Sequence, residues 1–424
     1  MKDSGIEWIG EIPEGWEIHR IKTHFSIISG SGFKPELQGQ STGDFPVCKA
    51  SDISSSGHYL HTSANYISSD IVKSQHFSII PKGSILFAKI GEAMRKNNRS
   101  LCSLDCCVDN NCQGLVPKNI SSEFSYYLFT CIDMTWFDNA GTIPCINNQK
   151  LYDCRIPFPS YGEQLLIANH LNIQCDKINE MLFHIRASIE EYKKLKQAVI
   201  TQAVTKGVRG EREMKDSGVE WIGEIPAEWS ICPLKRLAAI QTGSTPSKTS
   251  SESFYSSIAG TPWIKPDNLG FSSSIETTAE FLTEEGCSVA RILPSNTVYV
   301  GCIGSRIGNC GYSLIPCACN QQINALIFNA RMYWKYGWYL TIFQEEQYML
   351  LANGNVIQII NSTTQGNISC IVPSISEREN TPAYLDAKCA EIDGLIEKKE
   401  QLVKELESYK KSLIYEVVTG KREV

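Results

Sequence analysis

The sequence contains no apolar run near the roughly 18–20 residues that a bilayer-spanning helix needs. It also contains no GxGxxG, GxxxxGK[ST] or HExxH motif and no Asn/Asp-Pro-Pro-Tyr/Phe tetrapeptide. These absences argue against a dinucleotide loop, a P-loop, a zinc-protease site and a self-contained adenine methyltransferase. Met1 is followed at once by Lys2 and Asp3, without a signal-peptide pattern. We therefore expect a soluble, cytoplasmic protein with no membrane partner.

An excess of positive charge is lacking as well. The formal net charge is −6, which argues against a general polyanion binder but leaves room for local basic segments. Lys89–Arg99 is one such segment, with four basic residues and one acidic residue. The 17 cysteines show no paired CxxC spacing. We expect free thiols in a reducing compartment and no metal site.

The dominant feature of the sequence is an internal repeat. Met1–Trp16 (MKDSGIEWIGEIPEGW) and Met214–Trp229 (MKDSGVEWIGEIPAEW) agree at 13 of 16 positions. The similarity continues more weakly, with Phe45–Ile53 opposite Thr261–Leu269 and an Ile-Gly step at 90–91 and at 303–304. The chain is therefore a duplication of one unit, and such a chain is suited to a target with two halves.

Each half changes from short strand-like segments to one long helical segment. The helical segments carry apolar residues at steps of three and four, which is typical of a coiled coil. The predicted seam positions are Leu171, Ile178, Leu182, Ile185, Ile189 and Tyr192 in the first helix and Ile392, Leu395, Leu402, Leu406, Tyr409 and Leu413 in the second. Because proline is tolerated in the first turn of a helix, we expect the second helix to begin near Pro382.

These patterns predict a mixed, strand-rich α/β fold with a pseudo-two-fold repeat. The segments are a globular unit at 1–160, a helix at 161–205, a linker at 206–213, a second globular unit at 214–375, and a second helix with a C-terminal tail at 376–424.

The full set of motifs, in duplicate order, resembles the specificity (S) subunits of type I restriction-modification systems. The set comprises DSGxEWxGEIPxxW, Thr-Gly-Ser-Thr-Pro at 242–246, the Ile-Gly loop, Glu-Gln-x-x-Ile-Ala-x-x-Leu at 163–171 and a closing Val-Thr-x-Gly. The resemblance covers the whole chain. The start of the second helix, Glu377-Arg-Glu-Asn-Thr-Pro382, departs from this pattern.

The resemblance implies two target-recognition domains, each reading half of a split site in double-stranded DNA. The two helices would form an antiparallel coiled coil that separates the domains and docks two modification (methyltransferase) subunits. The chain itself would be non-catalytic and hold no cofactor. S-adenosylmethionine, ATP and Mg²⁺ are expected on the modification subunits and the motor-nuclease restriction subunits, which methylate adenine N6 or cleave DNA.

Polar loop residues are the candidates for DNA contacts. Arg and Lys suit guanine, Asn and Gln suit adenine, and small hydroxyls and Lys suit phosphate. The phosphate candidates are Ser31, Lys49, Ser244, Thr245 and Lys265. The remaining candidates are Lys89, Arg95, Lys96, Asn97, Asn98, Arg99, Asn111 and Gln113 in the first unit and Asn268, Arg306, Gln321, Gln322 and Asn324 in the second. The basic run Arg95–Arg99 has no counterpart in the second unit, so we expect an asymmetric target.

Alternative interpretations remain open at this point. The amide clusters could instead cap strand ends and satisfy backbone groups. The aromatic segment Tyr333–Tyr339 fits a base-stacking platform, but a packed helix face is the stronger expectation. The whole chain could also be a self-contained nuclease or methyltransferase, or a coiled-coil scaffold that binds no nucleic acid.

Overall fold

The computed structural model describes residues 1–139, 141–246, 253–270, 274–354 and 357–424. The chain forms two compact units, each built from two stretches of sequence. The first unit contains Met1–Arg186 and Gln401–Val424, and the second contains Ala187–Glu400. Each unit therefore takes one part of each long helix.

The described elements of the first unit alternate short strands with short helices before one long helix. Its strands are β1 (Lys2–Asp3), β2 (Glu11–Ile12), β3 (Glu17–Arg20), β4 (Phe25–Ser29), β5 (Phe45–Cys48), β6 (Tyr59–Leu60), β7 (Tyr66–Ile67), β8 (Ile85–Ala88), β9 (Arg99–Cys102), β10 (Cys107–Val108), β11 (Cys112–Pro117) and β12 (Arg155–Phe158). Its helices are α1 (Ile21–His24), α2 (Ala50–Ser55), α3 (Ser69–Ser74), α4 (Gly91–Arg95), α5 (Ser122–Thr130), α6 (Asn148–Asp153) and the start of α7 (Tyr161–Lys206).

The second unit repeats this plan. Its strands are β13 (Met214–Asp216), β14 (Glu224–Pro226), β15 (Ser230–Pro233), β16 (Ala238–Thr242), β17 (Tyr255–Ser256), β18 (Thr261–Ile264), β19 (Phe281–Leu282), β20 (Thr297–Gly301), β21 (Cys310–Ser313), β22 (Ala318–Cys319), β23 (Ile323–Phe328) and β24 (Ser369–Val372). Its helices are α8 (Glu284–Val289), α9 (Trp334–Phe343), α10 (Glu345–Leu351), α11 (Ser362–Gly366) and the start of α12 (Ile375–Val418).

The duplication extends to strand order and register. The order β4-β11-β8-β9 in the first unit corresponds to β16-β23-β20-β21 in the second, with antiparallel pairing throughout. Ser29 pairs with Gln113 as Thr242 pairs with Asn324. The first sheet has a further parallel strand, β6, beside β9. The predicted mixed α/β repeat is confirmed.

The aromatic segment of the second unit forms part of its core. Tyr336, Trp338 and Tyr339 in α9 are buried in one cluster with strand residues such as Val298 and Val300. The packed-face expectation is therefore confirmed for these three residues, because rings enclosed in this way cannot stack on a base, whereas Tyr333 is 38% exposed.

The two long helices run antiparallel. In the first unit, Leu171 and Ile178 of α7 share a core with Leu413 and Val417, which lie near the end of α12. In the second unit, Val204, near the end of α7, shares a core with residues at the beginning of α12, including Leu385 and Cys389. None of the helices in the described ranges is long and apolar enough to cross a membrane.

The second helix begins at Ile375, so the expected start near Pro382 was wrong. Both helices start with the same Ser-x-x-Glu capping pattern. The Ser160 hydroxyl bonds to Glu163 Oε2 at 2.7 Å, and the Ser374 hydroxyl bonds to Glu377 Oε2 at 2.9 Å. Pro382 lies inside α12, in the eighth position of the helix.

The last tryptophan of each repeated motif is tied to this capping glutamate. Trp16 Nε1 donates to Glu163 Oε1 at 3.1 Å, and Trp229 Nε1 donates to Glu377 Oε2 at 2.7 Å. The opening motif of each half therefore fixes the base of the long helix that follows it.

Candidate nucleic-acid interface

A glycine in each unit allows one strand end to approach two loops closely. Gly30 N donates to Cys112 O at 3.1 Å, and Gly243 N donates to Ile323 O at 3.0 Å. A Cβ atom on Gly30 would overlap the carbonyl oxygens of Val108 and Asp109, so no larger residue fits there. Gly243 is confined in the same way by backbone oxygens. The close approach brings the ends of several strands together.

In the first unit, the close approach at Gly30 brings together four of the polar residues that the sequence predicts to contact DNA. Ser31 N donates to Val108 O at 3.2 Å, and the neighbouring Asp109 N donates to Cys48 O, next to Lys49. Lys89 N donates to Asn111 O at 2.8 Å. We name Ser31, Lys49, Lys89 and Asn111 the first polar edge.

The second unit gathers an equivalent set through equivalent bonds. Ser244 N donates to Cys319 O at 2.9 Å, Asn320 N donates to Ile264 O beside Lys265, and Cys302 N donates to Gln322 O. The Thr245 hydroxyl contacts the Gln321 amide oxygen. We name Ser244, Thr245, Lys265, Gln321 and Gln322 the second polar edge.

The cations at these edges have exposed, exchangeable partners. Lys49 Nζ donates to Gln38 Oε1 at 2.7 Å, and Lys265 Nζ pairs with Glu280 at 2.7 Å. Arg306 lies near the second polar edge, because its Nη2 donates to Oδ1 of Asp267, two residues from Lys265, at 3.3 Å. Exposed pairs of this kind are worth little in water, so a phosphate can replace the protein partner.

Asn268 supports the loop that carries Lys265. Its side-chain oxygen accepts the Lys265 backbone N–H at 2.9 Å, as the Asp52 carboxylate accepts that of Lys49 at 2.7 Å. The alternative in which amide side chains satisfy backbone groups therefore holds at this position.

The predicted basic run is divided between the surface and the interior. Arg95 and Lys96 are exposed at the end of α4, where Arg95 pairs with Glu92 at 2.6 Å. Asn97 adopts a left-handed backbone with φ of 58°, and its side-chain oxygen accepts the Met134 backbone N–H. Asn98 is half-buried and donates to the Ser54 hydroxyl.

Three predicted DNA contacts are enclosed, so their expected placement on exposed polar loops was wrong. Gln113 and Asn324 occupy the same strand position in the two units, and they bond to Asn148 at 3.1 Å and to Gln365 at 2.7 Å. Arg99 is 5% exposed. Because successive strand residues alternate between faces, these side chains point into the fold.

Sequence reasoning missed one cation at the second edge. Arg291 is exposed, its backbone N–H donates to the Ser244 hydroxyl at 3.1 Å, and its guanidinium donates to Thr242 O at 2.8 Å. It lies far from the repeated motifs in sequence, so no spacing pattern identified it. Only the fold brings it next to Ser244.

The predicted seam residues of α7 are all buried or partly buried, whereas those of α12 are divided between buried and exposed positions. In α7, Leu171, Ile178, Leu182 and Ile189 are buried, while Ile185 and Tyr192 are partly buried. In α12, Ile392 and Leu413 are buried and Leu406 is partly buried. Leu395, Leu402 and Tyr409 are 37%, 43% and 48% exposed, so their assignment to the seam was wrong.

Lysines on the packed face explain this division. Lys399 lies over the Tyr192 ring, with Nζ 5.5 Å from its centroid, and Lys410 bonds to Asn179 at 2.7 Å. Lys196 pairs with Asp393 at 2.7 Å. Because long aliphatic stems can cover apolar surface while their ends find polar partners, a lysine does not interrupt such a seam.

The described residues contain no group of three or more His, Cys, Asp or Glu side chains that could hold a metal ion. The cysteines of the described chain are unpaired, and most are buried.

Comparisons with known proteins point to one family. Residues 13–191 match the type I restriction modification DNA specificity domain. The chain is 26% identical over 437 residues to the type I restriction enzyme MjaVIII specificity subunit of Methanocaldococcus jannaschii, covering 97% of this chain and 93% of the relative. It is 22% identical over 205 residues to the StySPI specificity subunit of Salmonella potsdam, covering 46% and 44%.

A solved structure shares the fold. It comes from work on complex assembly and conformational transition of a type I restriction-modification system, and it aligns with a TM-score of 0.72 at 15% identity. The alignment covers 97% of this chain and 100% of that chain.

Proposed function

The chain belongs to the specificity subunits of type I restriction-modification systems, and on that premise we propose that its two polar edges read the two halves of a split DNA target. As a specificity subunit it is the non-catalytic component that recognises the DNA sequence.

One observation carries this proposal. Equivalent backbone bonds in two units gather small hydroxyls, lysines and amides at equivalent strand ends. The hydroxyls and lysines are suited to phosphate, and the amides to adenine. The edges differ in their side chains: Gln321 and Gln322 stand in the second, where Asn111 stands in the first. We expect the two half-sites to differ for that reason.

Methylation mapping tests the specificity role. The chain is expressed with its neighbouring methyltransferase in a host without other methylation systems. We expect N6-methyladenine on both strands of a split motif, and its disappearance when this chain is deleted. Unchanged methylation, with the complex formed, would contradict the proposal and favour the scaffold alternative.

Salt-dependent binding tests the edges directly. Removing one phosphate-binding lysine should reduce the steepness of log affinity against log salt by about 1. We expect this change in Lys49→Gln and Lys265→Gln. Lys398→Gln, an exposed change on α12, is the matched control and should leave the slope unchanged.

We further propose that exposed apolar residues of the long helices dock the modification subunits. Leu402 and Tyr409 lie seven residues apart on α12 and face solvent. On α7, Leu166 and Ile173 are also seven apart, with 63% and 47% exposure. Apolar side chains repeated on one helix face are typical of a surface that a partner covers. S-adenosylmethionine, ATP and Mg²⁺ would then enter on the partner subunits.

Co-purification with the methyltransferase tests this surface. Leu402→Asp combined with Tyr409→Asp should reduce capture at least tenfold and leave the unfolding temperature of the free chain nearly unchanged, because both side chains are exposed. Lys404→Asp, on an exposed position of the same helix, controls for added negative charge. Equal capture by both variants would exclude this face.

A further inference from the structure

A cavity of about 690 Å³ in the first unit is lined by cations. The cavity lies between the β-rich part of the unit and the stretches of α7 and α12 that belong to it. Its charged lining residues are Arg99, Arg186, Lys410, Lys411 and Glu407. The one carboxylate, Glu407, already pairs with Arg186 at 2.5 Å. Three positive charges therefore remain uncompensated in this lining.

Arg99 is the most deeply buried of these cations, and most of its donors have no acceptor. Nη2 donates to Ile132 O at 2.9 Å and contacts the Asn97 side chain. Nε and Nη1 are buried without a hydrogen-bond partner in the described part of the chain. Burial lowers the pKa of the guanidinium to about 10, so it remains charged near neutral pH. A buried cation with free donors is costly unless an anion satisfies it.

The fold does not need a cation at this position. Arg99 pairs with Phe87 in the register in which Cys310 pairs with Val300 in the second unit. Cys310 is fully buried in an apolar core, and burial raises the pKa of its thiol. The same strand position thus accepts a small neutral side chain, and the guanidinium is a special feature of the first unit.

We propose that this cavity binds a phosphate group. Three uncompensated cations favour a multiply charged anion over a single carboxylate, and a buried guanidinium that lacks partners for Nε and Nη1 favours an anion over a neutral ligand. The volume exceeds that of phosphate alone and falls within the range of small-ligand sites. The group can belong to a free phosphorylated small molecule or to a DNA backbone.

Calorimetric titration of the full chain with adenosine 5′-monophosphate and with inorganic phosphate tests the site. We expect saturable binding of one ligand per chain at constant ionic strength. Lys411→Gln should weaken it about tenfold, since it removes a charge-assisted bond. Lys411 is exposed, so this variant should fold normally. Lys82→Gln, an exposed change outside the lining, should bind as the original chain does.

A second variant and a DNA arm complete the test. Arg99→Cys copies the second unit and should abolish binding; the Lys411 comparison remains decisive if this variant does not fold. If duplex DNA alone binds in a manner sensitive to Lys411→Gln, the phosphate comes from the backbone. Equal affinities of the Lys411→Gln and Lys82→Gln chains, or no saturable binding of any probe, would overturn the site. Neither result bears on methylation specificity.

Discussion

Gly30 and Gly243 lie where the backbone leaves no room for even one additional side-chain atom. A Cβ at either position would meet backbone oxygens, which cannot rotate away as a flexible side chain does. We expect Gly30→Ala and Gly243→Ala each to lower the free energy of unfolding by about 1–3 kcal/mol, the usual range for overpacking. Urea unfolding measures this. Gly32→Ala is the control, because its Cβ would meet no atom within 4 Å.

The buried amides mark the limit of prediction at the residue scale. Residue type selected Lys49, Lys265 and Asn111, which lie near strand ends, but it also selected the enclosed Gln113 and Asn324. The difference lies in strand phase: these two amides point inward, where each bonds to another amide. A shift of one residue reverses the face of a strand, and loop sequences do not reveal that phase.

At the scale of elements, the two helix caps offer a matched pair for mutation. Hydrogen bonds from Ser160, with a further bond from Trp16, hold the pKa of Glu163 below its ordinary value of 4.5. Burial alone would raise the pKa of Glu377, yet bonds from Trp229, Arg212 and Ser374 hold it low as well. Glu163 is exposed, whereas the Glu377 side chain is 2% exposed and pairs with Arg212 at 2.6 Å.

These differences predict unequal effects of one substitution. Glu377→Gln should destabilise the protein by about 2 kcal/mol, because the largely buried Arg212 loses a charge-assisted bond to a buried carboxylate and keeps only the more exposed Glu228 as a charged partner. Glu163→Gln should cost about 1 kcal/mol or less, as for an exposed cap. Since both pKa values are depressed, the stabilisation is present above pH 4.5 and is lost as the pH falls below it. Unfolding followed from pH 7 to 3 should show weaker acid dependence in each variant; equal destabilisation of the two variants would contradict the assigned difference in burial.

The helices show why the element type is easier to predict than its orientation. The three- and four-residue spacing identified both helices, but α12 carries apolar residues on two neighbouring faces. Leu395, Leu402 and Tyr409 repeat every seven residues, as a seam does, and are exposed. The packed face instead includes Lys399 and Lys410, whose polar ends find partners on α7. Which of the two faces of α12 is packed depends on its contacts with α7, and the sequence of α12 alone does not show it.

At the scale of the whole molecule, the division of the chain suggests that different parts of it set the distance between the half-sites and recognise each half-site. The boundary between units falls within both long helices, after Arg186 and after Glu400. Each unit therefore contains its own polar edge, its own helix cap and its own part of each long helix. Changes to one polar edge should alter one half-site only, because no backbone bond that forms that edge involves the other unit.

A paired insertion at these boundaries tests the spacer role of the helices. One extra heptad in both α7 and α12 preserves the three- and four-residue packing phase and adds about 10.5 Å of helix. We expect methylation mapping to show the same two half-sites with roughly three more unread base pairs between them, at about 3.4 Å per base pair. A heptad in α7 alone leaves its partner unmatched and should abolish modification. If the complex that contains the chain with the paired insertion still methylates sites with the original spacing, the helices do not set that spacing. The separation of the half-sites must then come from the partner subunits.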